Sequence, residues 1–143
     1  MRTDERSLHT SATPEAVWRV WSDTLTWGEW NPDVIAVTLD GPFASGTTGT
    51  MKNKSAAHSI QLTGVEPGRT FNLETTPIPL TRFIFQCRIA PAADGTSTIS
   101  QGLTMQGPLA PIFSRMMGSR IADTFPALLQ GLAAKAETSQ AQV

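Results

Sequence analysis

The sequence has one cysteine in 143 residues, Cys87. An internal disulfide is therefore impossible, and such a chain suits a reducing compartment. Nor is there an excess of either charge: 11 basic and 12 acidic residues leave a net charge of −1 with the signs scattered. That removes the basic footprint that nucleic acid or an anionic membrane surface requires. No apolar run approaches spanning length, and the start, Met1-Arg2-Thr3-Asp4-Glu5-Arg6, is polar without the apolar core of a secretory signal. The expectation is a cytoplasmic protein with no nucleic-acid partner and no integral membrane association. Catalytic signatures are missing as well: no Cys-x-x-Cys, no His-Glu-x-x-His and no Gly-x-Ser-x-Gly occurs. Gly41 to Gly46 has phosphate-loop spacing, but Thr47 stands at the lysine position and a strand pattern follows. His9, His58 and Cys87 are scattered without ligand spacing, so neither a metal nor a cofactor is expected. Asn53-Lys54-Ser55 matches a glycosylation acceptor, a chance match in a chain that is not secreted.

What is present is organised around one stretch, Leu109 to Glu137. Leu109, Ile112, Phe113, Met116, Met117, Ile121, Phe125, Leu128, Leu129, Leu132 and Ala136 recur at intervals of three and four. That period puts a continuous apolar stripe along one side of a helix. Pro126 predicts a kink near Phe125, and Gly118 and Gly131 each cost about 1 kcal/mol relative to alanine. Arg120 projects within the stripe. Either its guanidinium snorkels to the rim, or it stands at the edge of a cavity and meets an acidic or carbonyl group of a ligand.

Upstream the period is different. Thr13-Pro14 starts a short helix to about Ser22, and a second short turn from Asp23 ends at Asn31-Pro32. From Val34 onward apolar residues alternate with polar ones, in runs broken at Gly41-Pro42, Pro67-Gly68, Pro77 to Pro79 and Asp94-Gly95. Six such runs, with a first strand near Leu8, predict an antiparallel meander that the long helix covers.

Period two also sorts the side chains by face. If Leu103 and Met105 point at the helix, so does Gln101. By the same rule His58 goes with Ile60, Asn53 with Met51, Thr75 with Leu73, and Cys87 with Phe85. The inward surface so defined is mostly apolar: Met51, Ile60, Phe71, Phe83, Phe85, Leu103, Met105, Phe113 and Met117. Asn53, His58, Thr75, Gln101 and Arg120 punctuate it, and Trp30 with Trp27 reaches for its mouth. Apolar walls with sparse polar groups suit a small-molecule pocket, although the same residues can simply meet and fill the space. His58 is the acid–base candidate because it titrates near neutrality.

Several segments resemble a known family. Ser11 to Trp18, Trp27-Gly28-Glu29-Trp30-Asn31-Pro32 and Phe43 to Gly49 are similar to the opening of the START-like superfamily, also called SRPBCC. The likeness continues at Val65 to Phe71, Asp94-Gly95-Thr96, Gly107-Pro108-Leu109 and Phe125 to Leu128 with Leu132, and is strongest to bacterial polyketide cyclase-like members. The resemblance implies an α+β helix-grip fold: a curved seven-stranded antiparallel sheet around a kinked C-terminal helix, with two short helices after the first strand. It implies one domain over residues 1–137; the polar composition of Thr138 to Val143 reads as a frayed tail beyond it. The function expected first is binding or transport of a hydrophobic small molecule, lipid-like, aromatic or polyketide-like, by a monomer or homodimer. The alternatives are a cofactor-independent cyclase, aromatase or dehydratase using His58, and a protein-interaction module with a vestigial cavity. Fold alone does not choose among them.

Overall fold

Seven antiparallel strands form one sheet in the computed structural model, which describes residues 2–54 and 56–141. They are β1 (Arg2–Thr10), β2 (Ala36–Leu39), β3 (Thr48–Lys52), β4 (Ala57–Glu66), β5 (Thr70–Ile78), β6 (Thr81–Pro91) and β7 (Ser97–Gln106). The spatial order is β1-β7-β6-β5-β4-β3-β2, so β2 to β7 run as a meander and β1 alone pairs far along the chain. Met1, Ser55, Gln142 and Val143 lie outside the described residues, the glycosylation triplet's last member among them.

Register builds the inner face in rows. Phe71, Cys87 and Gln101 stand opposite one another on β5, β6 and β7. Leu62, Leu73, Phe85 and Leu103 form a second row, and Ile60, Thr75, Phe83 and Met105 a third. Alternation at a spacing of two is covalent geometry, which is why these sets were predictable before any contact was known. Asp94-Gly95 makes the β6–β7 turn as expected: Gly95 has φ 85° and Thr96 donates to the Asp94 carboxylate. At the far end of that hairpin Gly107 has φ 127°, and a Cβ there would stand 2.1 Å from the Leu80 carbonyl oxygen.

Between β1 and β2 lie α1 (Pro14–Trp21), a 3₁₀ turn (Thr24–Thr26) and α2 (Trp27–Trp30). Thr13 caps α1 by accepting from the Ala16 N–H at 3.2 Å. Asp23 does not cap the following turn with its side chain. Trp18, Trp21, Phe43 and Phe71 pack edge to face under α1, with Phe71 fully buried at the centre.

The C-terminal stretch is the long bent helix expected, with its regular turns interrupted. It consists of α3 (Ala110–Phe113), a π-helical turn (Ser114–Gly118), α4 (Ser119–Ala122) and, after a break at Asp123 and Thr124, α5 (Phe125–Ala141). A π turn holds more residues than an α turn, so a stripe counted at 3.6 loses its phase across it. Leu109, Ile112 and Met116, read as buried, are instead 39 %, 56 % and 63 % exposed. The bend expected near Phe125 is there: the helix breaks at Asp123 and Thr124, and Pro126 sits in the first turn of α5, where its missing N–H has no carbonyl to meet. From there on the stripe holds, with Leu128, Leu129, Leu132 and Ala136 buried against α1, β1 and β7.

Residues 138–141, expected to fray, continue α5, and its end is tied down. Thr10 Oγ1 donates to Glu137 at 2.6 Å, and the Thr13 N–H donates to Gln140 Oε1 at 2.8 Å. No helix among the described residues is long and apolar enough to cross a membrane. An open seven-stranded sheet, short helices after the first strand and a bent C-terminal helix together make the helix-grip fold.

Candidate functional site

The break in the C-terminal helix leaves a space between helix and sheet. It is a cavity of about 540 Å³, within the range of small-molecule pockets. Its deep wall is built by Trp21, Phe71, Leu73, Phe83, Phe125 and Leu128, all buried. Its mouth carries the exposed residues Pro32, Asp33, Lys54, Arg120 and Thr124. Two elements shape the opening. The β3–β4 turn presents Asn53 and Lys54, with Asn53 Oδ1 accepting from the Ala56 N–H at 2.9 Å. The break before α5 presents Arg120, Ile121 and Thr124, and Thr124 closes it by donating to the Ile121 carbonyl at 2.6 Å.

The third side of the opening is α2. Gly131 of α5 faces its last residue so closely that a Cβ would stand 2.1 Å from the Trp30 carbonyl oxygen. Lys135 pairs with Glu29 at 2.8 Å beside this contact. The glycine read from sequence as a helix penalty is therefore what lets α2 seat against α5, with Trp27 and Trp30 in the cavity wall.

The structure brings ten of the site residues read from sequence to the cavity. They are Trp30, Met51, Asn53, His58, Phe71, Thr75, Phe83, Phe85, Gln101 and Arg120. Ile60, Leu103, Met105, Phe113 and Met117 do not line it. Period two gives the face of a strand but not whether space lies above it. Ile60, Leu103 and Met105 are buried at 3 %, 0 % and 0 %, packed into the core rather than bordering space. Phe113 and Met117 sit before the break, half-buried and packed against the core away from the cavity. Among the described residues Met51 is therefore the single methionine of the wall. Missed from sequence as wall residues were Trp21, Leu73, Phe125 and Leu128, the last two read only as part of the helix stripe, and Asp33 and Lys54 were missed at the mouth. No local signal separates an apolar residue that borders space from one that fills it.

The polar groups divide by whether their hydrogen bonds are used. Thr75 Oγ1 donates to the Ser59 carbonyl at 2.9 Å, and Trp27 Nε1 to the Trp21 carbonyl at 2.9 Å. Cys87 lies on the floor, its thiol donating to Gln101 Oε1 at 3.7 Å. Burial pushes the Cys87 thiol far above its ordinary range, so it stays protonated and is no nucleophile. The His58 side chain is half-buried at the wall and its imidazole has no hydrogen-bond partner among the described residues; Arg120 and Lys54 likewise have no carboxylate partner there. Arg120 is exposed at the rim, which joins the two readings of it: the guanidinium reaches solvent and also borders the cavity. Among the described residues no three His, Cys, Asp or Glu side chains gather to hold a metal.

Comparison with solved structures gives the same fold at low identity. Thalictrum flavum norcoclaurine synthase, solved with a transition-state analogue, superposes with a TM-score of 0.75 at 10 % identity, covering 96 % of this chain and 94 % of that one. The di-domain ARO/CYC protein StfQ of the steffimycin biosynthetic pathway gives 0.71 at 16 %, covering 98 % of this chain and 51 % of its own. A START superfamily protein from Mycobacterium smegmatis gives 0.69 at 11 %, covering 96 % and 99 %. No curated protein matches in sequence. The family model that does match is described as polyketide cyclase / dehydrase and lipid transport, and it spans residues 1–137. With its helix-grip fold and its cavity under a broken helix, the chain belongs to that family.

Proposed function

We propose that the chain binds a hydrophobic small molecule, lipid-like, aromatic or polyketide-like, inside the cavity and carries or presents it. The observation that carries this reading is the cavity itself, about 540 Å³ of space walled by buried aromatic and aliphatic side chains and open at a charged rim. An unfilled interior speaks against an interaction module with a vestigial cavity. The family description embraces both transport and cyclase or dehydrase chemistry, so it fits the binding reading without selecting it. Native mass spectrometry of the purified protein tests it. A co-purified mass that survives gentle ionisation and disappears on denaturation is expected. Failure to retain any apolar compound, native or added, overturns the proposal.

A second reading, a cyclase, aromatase or dehydratase, rests on His58, an unpartnered imidazole at the cavity wall. Gln101, Asn53 and Arg120 would then orient carbonyl groups. Against it, His58 has no orienting carboxylate among the described residues, and geometry comes before pKa in such an assignment. His58→Gln retains hydrogen-bonding capacity and removes the imidazole that would transfer the proton. A catalytic His58 predicts turnover reduced about 100-fold with binding retained, since acid–base groups contribute that order of rate. Unchanged turnover removes His58 from the chemistry.

A further inference from the structure

Charge summed over the whole chain hides how unevenly it is placed. In an antiparallel meander, alternate turns fall at opposite ends of the sheet. The β2–β3, β4–β5 and β6–β7 turns share one end and hold Asp40, Glu66 and Asp94 against a single cation, Arg69. The other end, made by the β3–β4 and β5–β6 turns and the segment after β7, carries the cavity mouth. Lys52, Lys54, Arg115 and Arg120 are exposed there, none with an ion-pair partner among the described residues. Asp123 is taken by Arg6 at 3.2 Å, which leaves Asp33 as the exposed acid of the mouth. The same end gathers apolar side chains that no core covers. Among the described residues six large ones are exposed, and all but Leu25 sit here. Ile35 adjoins Lys52, whose carbonyl accepts from its N–H at 2.8 Å. Leu109, Ile112 and Met116 ridge the segment before the break, and the Leu80 carbonyl packs on Gly107 just ahead of them. Leu80 is the anomaly: it tops the β5–β6 turn with φ 62° and is 69 % exposed. Left-handed backbone suits glycine or asparagine, so nothing within this fold accounts for a leucine there.

Protruding apolar side chains set among unpaired cations complement a surface that is anionic outside and hydrocarbon beneath. We propose that this end of the molecule docks on an anionic lipid bilayer, with Leu80, Ile112 and Met116 entering the headgroup–acyl boundary. Lys52, Lys54, Arg115 and Arg120 then lie among the lipid phosphates, and the cavity mouth faces the membrane. A protein partner fits less well, because a protein interface is anchored at a packed, continuous centre. Here the apolar groups stand apart, on a turn tip and a helical ridge around an opening, and a fluid boundary accepts separate insertions. A second copy of the chain would bring the same four cations together. Each lysine or arginine near an anionic surface strengthens binding about five-fold. The far acids do not cancel this: β5, nine residues long, holds them about 30 Å away, beyond a Debye length of about 8 Å. Docking requires no ligand in the cavity and is independent of the binding function proposed above.

Co-sedimentation tests the proposal, with vesicles of phosphatidylcholine alone and of phosphatidylcholine and phosphatidylserine in equal amounts. The expected result is binding to the mixed vesicles that exceeds binding to phosphatidylcholine and falls as salt rises. Arg115→Gln is expected to weaken it about five-fold. Leu80→Asn is expected to weaken it about ten-fold, and asparagine suits the left-handed backbone, so this variant keeps the fold. Orientation is read separately with an environment-sensitive thiol dye on Leu80→Cys or on Glu66→Cys, since the native Cys87 is buried. On mixed vesicles the dye at position 80 shifts to the blue and the dye at position 66 does not. Equal binding to the two vesicle types, binding to neither, or equal dye responses at the two ends overturns the proposal. Binding unmoved by both Arg115→Gln and Leu80→Asn overturns it too, as does an end that ignores vesicles and takes an acidic protein instead. None of these outcomes bears on whether the cavity holds a ligand, which native mass spectrometry decides on its own.

Discussion

Individual residues here change meaning once their neighbours are known. Gly131 is the clearest case. By propensity alone, Gly131→Ala in a helix interior gains about 1 kcal/mol. The Trp30 carbonyl reverses the sign, because a Cβ would have to stand 2.1 Å from its oxygen and backbone cannot step aside cheaply. The expected outcome is a loss of about 1–3 kcal/mol, the usual cost of overpacking, seen as a lower urea midpoint with an unchanged m-value. A gain in stability would mean that α2 and α5 do not touch there. Cys87 supplies a pH prediction. Its folded thiol titrates well above the ordinary value of 9.0, so above that pH the unfolded chain releases a proton that the native state keeps. The contribution is fully present below pH 9 and is lost as pH rises from there, with a slope of about 1.4 kcal/mol per pH unit. Thermal unfolding from pH 8 to 10.5 should show this fall in the parent and a shallower one in Cys87→Ala. Parallel curves would place the thiol in water.

At the scale of elements, the C-terminal helix divides into two parts with different tasks. α5 is core: Leu128, Leu129 and Leu132 are buried at 3 %, 1 % and 0 %. Deleting the chain from Pro126 onward removes them at about 2–5 kcal/mol each. A domain has only about 5–15 kcal/mol to lose, so the truncated chain should show no cooperative thermal transition. A sharp transition near the parent's would relocate the core. The segment before the break has another character, with three large apolar side chains exposed and Arg120, Ile121 and Thr124 turned to the cavity. Its π turn was not legible, because the intervals of three and four in the sequence run on unbroken through Met116, Met117 and Ile121. A π turn is an insertion of backbone, and nothing in the side-chain spacing marks where one is accommodated. The start of α1 was legible for the opposite reason: a threonine cap and a following proline act within four residues of one another.

Over the whole molecule, what the sequence by itself determined is which face each side chain takes. Leu62, Leu73 and Leu103 fall on one side of the sheet because successive residues of a strand point opposite ways, a matter of chirality and covalent geometry. The turn at Asp94-Gly95 and the meander of six runs were legible on the same local grounds, whereas the pairing of β1 with β7 joins residues distant along the chain. Whether an inward residue meets a neighbour or meets space is a different kind of fact. Leu103 and Phe85 are cross-strand partners on one face, yet Phe85 borders the cavity and Leu103 does not. The difference is made by where α5 breaks from α4, by how closely Gly131 lets α2 approach, and by where the β3–β4 turn leaves Lys54. Each is a contact between segments distant along the chain, and a cavity is the small difference between large packed volumes on either side of it. Only the tertiary structure decides that difference, because no single segment contains it.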